Sequence, residues 1–346
     1  MDRKYMEFAV QKVTELLAID SPTGYTTDAE KYVLDVFHDL GYDVLHTQKG
    51  GIVVDLGGED TKDALLLEAH MDTLGGMVSE IKSNGRLRIT NVGGLNANNV
   101  EAENCKVVTK FSGHYEGTLQ LINASVHVNE EYSTKPRKFE NMEVVLDEEV
   151  ESAEDVKALG IMVGDFVCFD PRTRVTDKGY IKSRFLDDKL SVGILMGLAK
   201  YIKDEHIQLK RRVYVHITVY EEVGHGGSAS VPEGVTEAIA VDMGCVGEGL
   251  QCTERQVSIC AKDSSGPFSY EIVKKLIFVA QKEKADFAID TYPFYSSDVR
   301  TTLSAGYDIR HGLIGAGVYA SHGYERSHKD GVMNTLRVLK GYLEIE

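Results

Sequence analysis

Val213-Tyr214-Val215-His216-Ile217-Thr218-Val219, continuing as Tyr220-Glu221-Glu222-Val223-Gly224-His225-Gly226-Gly227, is the stretch whose reading decides the fold. Its first half is a mainly apolar run that reads as a buried strand. Its second half places two carboxylates where the strand gives way to a glycine-rich loop. In an open α/β sheet, ligands bind beyond the carboxyl ends of the strands. Paired glutamates there can divide the work, one holding a metal and the other moving a proton. A Glu-Glu pair by itself is ordinarily a solvated acidic turn. Four further strand ends carry residues of the same kind, and they reverse that reading.

Outward from this stretch the chain alternates helices and strands. Apolar residues recur at helical spacing from Tyr5 to Leu17 until Ser21-Pro22-Thr23-Gly24 interrupts them. A second helix starts near Thr27-Asp28 and stops at Gly41. Strands are expected over Asp43 to His46 and Ile52 to Leu56. Ala64 to Ala69 is almost wholly apolar, as an interior strand covered on both faces requires, and it ends in His70-Met71-Asp72. Later α/β segments include the helix after Leu186-Asp187-Asp188 and the strands Glu237 to Asp242, Gln256 to Lys262 and Phe287 to Tyr292. Ser297-Asp298 is expected to cap a short helix. Ile309 to Ile314 reads as the last strand, opening into a loop through Gly315 to His322, before a final helix from about Gly331 to Leu343.

Between the two α/β stretches the texture changes. From about Gly75 to Asp170 the chain shows short alternating runs separated by Ser83-Asn84-Gly85, Gly93-Gly94 and Ser112-Gly113, with one short helix capped by Ser152. The expected organisation is a discontinuous α/β domain, residues 1–74 and 171–346, with a small β-rich domain, residues 75–170, inserted in it.

The 346 residues can bury a large core. A net charge of -16 argues against nucleic acid or an anionic membrane as a partner. No apolar run approaches the roughly 18 residues of a membrane span. Met1 to Glu7 has no signal-like apolar region. The 5 cysteines form no CxxC, which suits reduced thiols in the cytoplasm and leaves any metal to His, Asp and Glu.

His70, Asp187, Glu222, Asp242 and His322 stand at strand ends or in the loops after them. Two imidazoles and three carboxylates suit zinc, cobalt or manganese. Such a carboxylate-rich set also suits two ions about 3.5–4 Å apart, with Asp187 as the bridge. Asp72 is placed to orient the His70 imidazole. His328 is an alternative to His322 in the same loop, and Asp187-Asp188 could instead cap a helix. Because adjacent strand residues face opposite sides, Glu221 and Glu222 can share a site only if the strand has already ended. The substrate pocket is expected from the loops around Ser264 to Phe268, Tyr292 to Asp298 and Gly315 to Tyr319.

Together, Ser21-Pro22-Thr23-Gly24, His70-Met71-Asp72, Gly164-Asp165 with Phe169-Asp170-Pro171, Leu186-Asp187-Asp188, Glu221-Glu222-Val223-Gly224 and Val241-Asp242 resemble the tetrahedral, dinuclear-metal aminopeptidases. That group includes deblocking and glutamyl aminopeptidases, and the resemblance runs over essentially the whole chain. It implies a phosphorylase/hydrolase-like catalytic domain with an inserted small β-barrel-like dimerisation domain. It implies metal ligation by His70, Asp187, Glu222, Asp242 and His322, with Asp187 bridging two divalent ions and Glu221 as general base. It also implies short peptides as substrates and a homo-oligomeric shell of twelve subunits. The sequence departs from the better-known members after His322, where Gly323-Tyr324 replaces Ser-Pro, and in His225-Gly226-Gly227-Ser228.

Other readings need other features. A deacylase or carboxypeptidase would need a cation for a substrate carboxylate, and Arg300, Arg310 or Arg326 could supply it. A glycosidase needs carboxylates held about 5 Å or more apart across a sugar, and the chain has no Trp platform. A non-catalytic assembly protein would carry no stoichiometric metal.

Overall fold

The computed structural model describes residues 1–344. The chain divides into two units, Met1–Asp72 with Arg172–Glu346, and Thr73–Pro171.

The first unit is built on a mixed sheet whose central strands run in the order Ile52–Gly57, Arg211–Thr218, Asp60–His70, Val235–Val241 and Arg310–Tyr319. The last four of these are mutually parallel. Their register sets Thr218 beside His70 and Val241 beside Ile314. The loops that follow His70, Thr218 and Val241 therefore leave from one edge of the sheet.

Alternation along the strands builds two cores. Leu65, Leu67, Val213, Val215, Ile217, Ile239, Val241 and Ile314 face the larger one, under the helices Arg3–Leu17, Leu186–Asp204, Tyr270–Lys282 and Lys329–Glu344. Leu66, Ala238, Ala240 and Leu313 face the smaller core, with Cys260, Phe268, Tyr292 and Val299. The run Ala64 to Ala69 is thus covered on both faces, as its composition requires. On the smaller side, the even-numbered residues that follow Leu66 and Tyr214 are polar. Glu68, His216 and Thr218 are buried there with Thr302 and Asp298.

The helix Leu186–Asp204 is buried on nearly every side and packs against Arg3–Leu17. Its Lys189 is also buried, and its Nζ donates to the carbonyls of Leu16 (3.1 Å) and Ile19 (2.7 Å). Those carbonyls lie at and just beyond the end of the first helix, where acceptors lack intrahelical partners.

The second unit holds a closed barrel of six strands, Gly75–Ile81, Leu87–Val92, Met142–Leu146, His114–Leu121, Asn104–Val108 and Phe166–Phe169 in spatial order. Val78, Ile89, Val107, Leu119, Val144 and Val167 are buried in it. The α/β class and the small barrel-like insert are therefore present as expected. Ser152 caps Ala153–Ala158 by accepting from the Asp155 amide at 3.2 Å.

Three local expectations fail. The strand expected to stop at Ile314 runs on to Tyr319, and a further strand, Glu325–His328, follows it. That last strand pairs with Tyr180–Ser183, a partner distant in sequence that no local pattern reveals. Ser297 stands at the start of Asp298–Ser304 but makes no side-chain cap bond. Asp298 turns inward instead. Among the described residues, no helix is long and apolar enough to cross a membrane.

Candidate metal and active site

His70 ends its strand and is buried. Its Nδ1 lies 3.0 Å from the Asp72 carbonyl oxygen, an acceptor that fixes the proton on Nδ1 and leaves Nε2 to ligate. The Asp72 carboxylate, expected to do this, is farther away at 3.6 Å. It accepts instead from Thr23 Oγ1 (2.6 Å) and from the Glu221 amide (3.2 Å). Ser21 donates to the Met71 carbonyl at 2.8 Å, so the Ser21–Gly24 loop braces the His70 segment from behind.

The strand leading to the glutamates ends at Thr218, and Tyr220 takes a left-handed conformation. Glu221–Val223 is a single 3-10 turn, which lets Glu221 and Glu222 reach one site. Lys49 Nζ donates to the Gly226 carbonyl (2.6 Å) and to Ser228 Oγ (3.2 Å). Asp298 accepts from the Gly227 amide at 2.6 Å and from the Thr218 hydroxyl. These two residues clamp the glycine-rich loop; Lys49 did not stand out in the sequence, and Asp298 was expected as a helix cap.

Asp187 and Asp188 open the long helix with non-helical backbone and a cis peptide between them. Helix capping is not their role, since the N-cap position is Phe185 and it forms no side-chain cap bond. Asp187 Oδ1 lies 3.3 Å from His70 Nε2, and Oδ2 lies 3.4 Å from His322 Nε2. The same His322 nitrogen is 3.5 Å from Glu222 Oε2, with the imidazole 40% exposed at the mouth. Asp242 follows its strand directly. Gly315 faces it, and a Cβ at that glycine would overlap the Asp242 carbonyl. Ligand atoms of His70, Asp188 and Asp242 lie within 4.8 Å of one another, as do those of His70, Asp187 and Glu222.

All five expected ligands thus converge, with Glu221 Oε2 at 3.7 Å from His70 Nε2. His328 does not join them. Its Nε2 faces the Lys178 carbonyl at 2.7 Å, and its Nδ1 accepts from the Asp330 amide. Two further acids stand beside the site that the expected ligand set did not include. Asp188 is buried, with Oδ2 accepting from the His70 amide at 3.3 Å and Oδ1 without a hydrogen-bond partner among the described residues. Glu325 is buried and accepts from the amides of Asp187 (3.1 Å) and His322 (3.0 Å). It lay hidden because Ser321 to His328 read as one loop.

The electrostatics fit a multivalent cation. Burial pushes the Asp242 carboxyl up to about 7 and that of Glu325 to about 8, with Asp187 adding to both. Burial also raises Glu222, beside Asp187, and Asp188, beside Asp242. For Glu221, burial raises the carboxyl well above its ordinary range; His70 opposes, and Asp298, Asp242 and Glu222 reinforce. Burial alone would lower His70, but Asp187, Glu221, Asp72 and Asp188 outweigh it. Seven carboxyls (Asp72, Asp187, Asp188, Glu221, Glu222, Asp242 and Glu325) around two imidazoles leave an excess of negative charge. An oxygen-rich set with imidazole nitrogens is the donor chemistry of a borderline divalent ion.

A cavity of about 590 Å³ adjoins these side chains. Tyr292–Ser296 contributes to it as expected. The Ser264–Phe268 and Gly315–Tyr319 segments do not line it, and Met243, Cys245 and Leu250 do. Two of the arginines that a carboxylate-anchoring rival would need are engaged elsewhere. Arg310 faces Asp63 and Glu237, and Arg326 faces Glu254.

The M42 glutamyl aminopeptidase family matches residues 50–338. This chain belongs to that family. It is a hydrolase of the M42 aminopeptidase group. Over 342 residues it is 43% identical to a Bacillus subtilis (strain 168) protein named "Putative aminopeptidase YhfE", covering 99% of this chain and 98% of that one. Its fold matches a TET aminopeptidase of a marine-sediment Thaumarchaeota archaeon with TM-score 0.88 at 18% identity, covering 97% and 96% of the two chains. It also matches the Pyrococcus horikoshii TET1 peptidase, with TM-score 0.84 at 22% identity and coverage of 97% and 99%. That peptidase can assemble into a tetrahedron or a large octahedral shell.

Proposed function

We propose that the chain is a metal-dependent aminopeptidase that hydrolyses the N-terminal peptide bond of short peptides. The observation that carries the reading is the convergence of His70, Asp187, Glu222, Asp242 and His322 beside Glu221. Two divalent cations, zinc, cobalt or manganese, would be held by these five residues, with Asp187 shared between them. When bound, such ions supply Lewis acidity toward a water and toward the scissile carbonyl.

The protein's own groups do the rest. Glu221 is the general base: its carboxylate, 3.7 Å from His70 Nε2 and ionised once cations are bound, accepts a proton from the attacking water and returns it to the leaving amine. The Asp72 carboxylate holds the Glu221 main chain, while its carbonyl orients His70. Glu325 holds Asp187 and His322 by their amides. Glu221→Gln is expected to keep its bound metal, measured by elemental analysis, and to lose several orders of magnitude in kcat. Near-normal turnover would remove Glu221 from this role.

The unit Thr73–Pro171 is proposed as a dimerisation domain within a homo-oligomeric, tetrahedral dodecamer. The assembly behaviour of the Pyrococcus horikoshii relative supports this. Exposed Phe111, Val128 and Val163 on that unit give it further support. Light scattering on the purified protein tests it, and a monomer would refute it. No disulfide joins the cysteines among the described residues, which supports a reducing, cytoplasmic setting.

A further inference from the structure

The family takes its name from glutamyl substrates, so the lining of this chain's cavity invites comparison with that chemistry. Its charged lining is Asp187, Glu221, Glu222, Asp242 and His322. Met243, Cys245, Leu250, Tyr292, Phe294 and Tyr295 supply most of the rest, with Ser296 and Ser321. Cys245, Leu250 and Tyr295 pack against the smaller core of the sheet, so the floor is continuous with buried apolar side chains.

The Tyr292 hydroxyl is committed, whereas the buried Tyr295 hydroxyl has no hydrogen-bond partner among the described residues. Tyr292 donates its hydroxyl to Ser258 Oγ at 2.5 Å, and Ser258 donates to Asp290 at 2.9 Å. The Cys245 amide donates to the Tyr292 oxygen at 3.3 Å. Phe294 stands 97% exposed at the rim, an aromatic face over the entrance.

A side chain entering beside these residues meets mainly methyl, thioether and ring surface, with the Cys245 thiol and the Tyr295 hydroxyl. A glutamate or aspartate there would lose its water and find no lysine or arginine among the described lining residues. A lysine or arginine would find, among the lining carboxylates, only residues proposed to hold cations or to act as base.

We propose that this cavity selects peptides whose N-terminal residue is neutral and apolar, with leucine, methionine and phenylalanine preferred over acidic or basic residues. The proposal rests on the aminopeptidase reading and names the substrate class of that site.

The test uses aminoacyl fluorogenic substrates of Leu, Met, Phe, Glu, Asp, Lys and Arg with the protein loaded with zinc, cobalt or manganese. The expected kcat/KM for the apolar set exceeds that for Glu and Asp by about 100-fold or more, and that for Lys and Arg by at least about tenfold. A preference for Glu or Lys over Leu and Phe would overturn the proposal and leave the aminopeptidase reading intact. Absence of hydrolysis across the whole panel would overturn the reading instead. In that event calorimetric titration with free L-leucine, L-phenylalanine and L-glutamate decides the pocket chemistry: tighter binding of the first two supports the proposal, and tighter glutamate overturns it. Leu250→Arg places a cation in the lining and is expected to raise the Glu-to-Leu kcat/KM ratio at least about tenfold. An unchanged ratio in a variant that keeps the wild-type melting temperature would count against this wall as the selector.

Discussion

Replacing Glu325 with glutamine keeps the shape of the side chain and removes its charge, and the structure gives the size of each consequence. Both carboxylate oxygens are engaged, one by the Asp187 amide and one by the His322 amide. Glutamine offers one oxygen and one NH₂, so one of those amides loses its acceptor and meets a donor. An unpaired buried N–H costs about 1–3 kcal/mol. Against that stands the cost of the acid itself. Burial and Asp187 raise Glu325 to about 8 from an ordinary 4.5. Binding that proton at pH 7 costs the metal-free fold roughly 3 kcal/mol relative to the unfolded chain, a cost absent below about pH 4.5. The two terms nearly cancel, so metal-free Glu325→Gln is expected to unfold close to the wild type. Metal affinity behaves differently, because cations favour the ionised shell and two ligand segments have been loosened. A loss of roughly 10–100-fold is expected, with turnover largely recovered at saturating metal. Scanning fluorimetry of the metal-free proteins and calorimetric titration with zinc or manganese read the two effects separately. Unchanged metal affinity would refute the role of Glu325 in holding Asp187 and His322, and a metal-free variant that cannot fold would mark it as a structural acid.

Chelation is expected to lower the melting temperature, because the raised carboxyls lose their compensating charge. Asp242 must release its proton to bind metal, and Glu325, which holds Asp187 and His322, is expected to release its own as cations enter, so affinity falls as pH drops through about 8 and then 7, and binding in weak buffer acidifies the solution. Gly315→Ala drives a methyl into the Asp242 carbonyl and is expected to cost about 3 kcal/mol or more in urea unfolding, together with metal content by elemental analysis. Burial, with Glu68, raises Asp298 to about 6. Its contribution therefore erodes stability by roughly 2 kcal/mol as pH rises from about 4 to 6, a slope that Asp298→Asn is expected to flatten in denaturant titrations.

The sequence carried much of this site because most of the candidate ligands follow strands of plainly apolar composition. His70 closes an apolar run, Asp242 closes another, and Glu221-Glu222 follows a third. What escaped was set by pairings between distant segments. Glu325 reaches Asp187 only because Glu325–His328 lies antiparallel to Tyr180–Ser183, and the same pairing draws His328 toward Lys178. Asp72 sits where its spacing from His70 suggests, yet the main chain and the side chain exchange the expected duties, a matter of a few torsions that spacing does not encode. Lys49 and Asp298 clamp the Gly226-Gly227 loop from positions far along the chain in either direction, beyond any local window.

The candidate ligands are drawn from His70 through His322, so a bound cation ties together parts of the chain that meet only once folding is complete. It would act as a removable cross-link across several long loops, whose closure entropy grows slowly with length. A protein fastened this way has no fragment that can capture the ion by itself. Its resistance to proteolysis would then follow the free metal concentration around it.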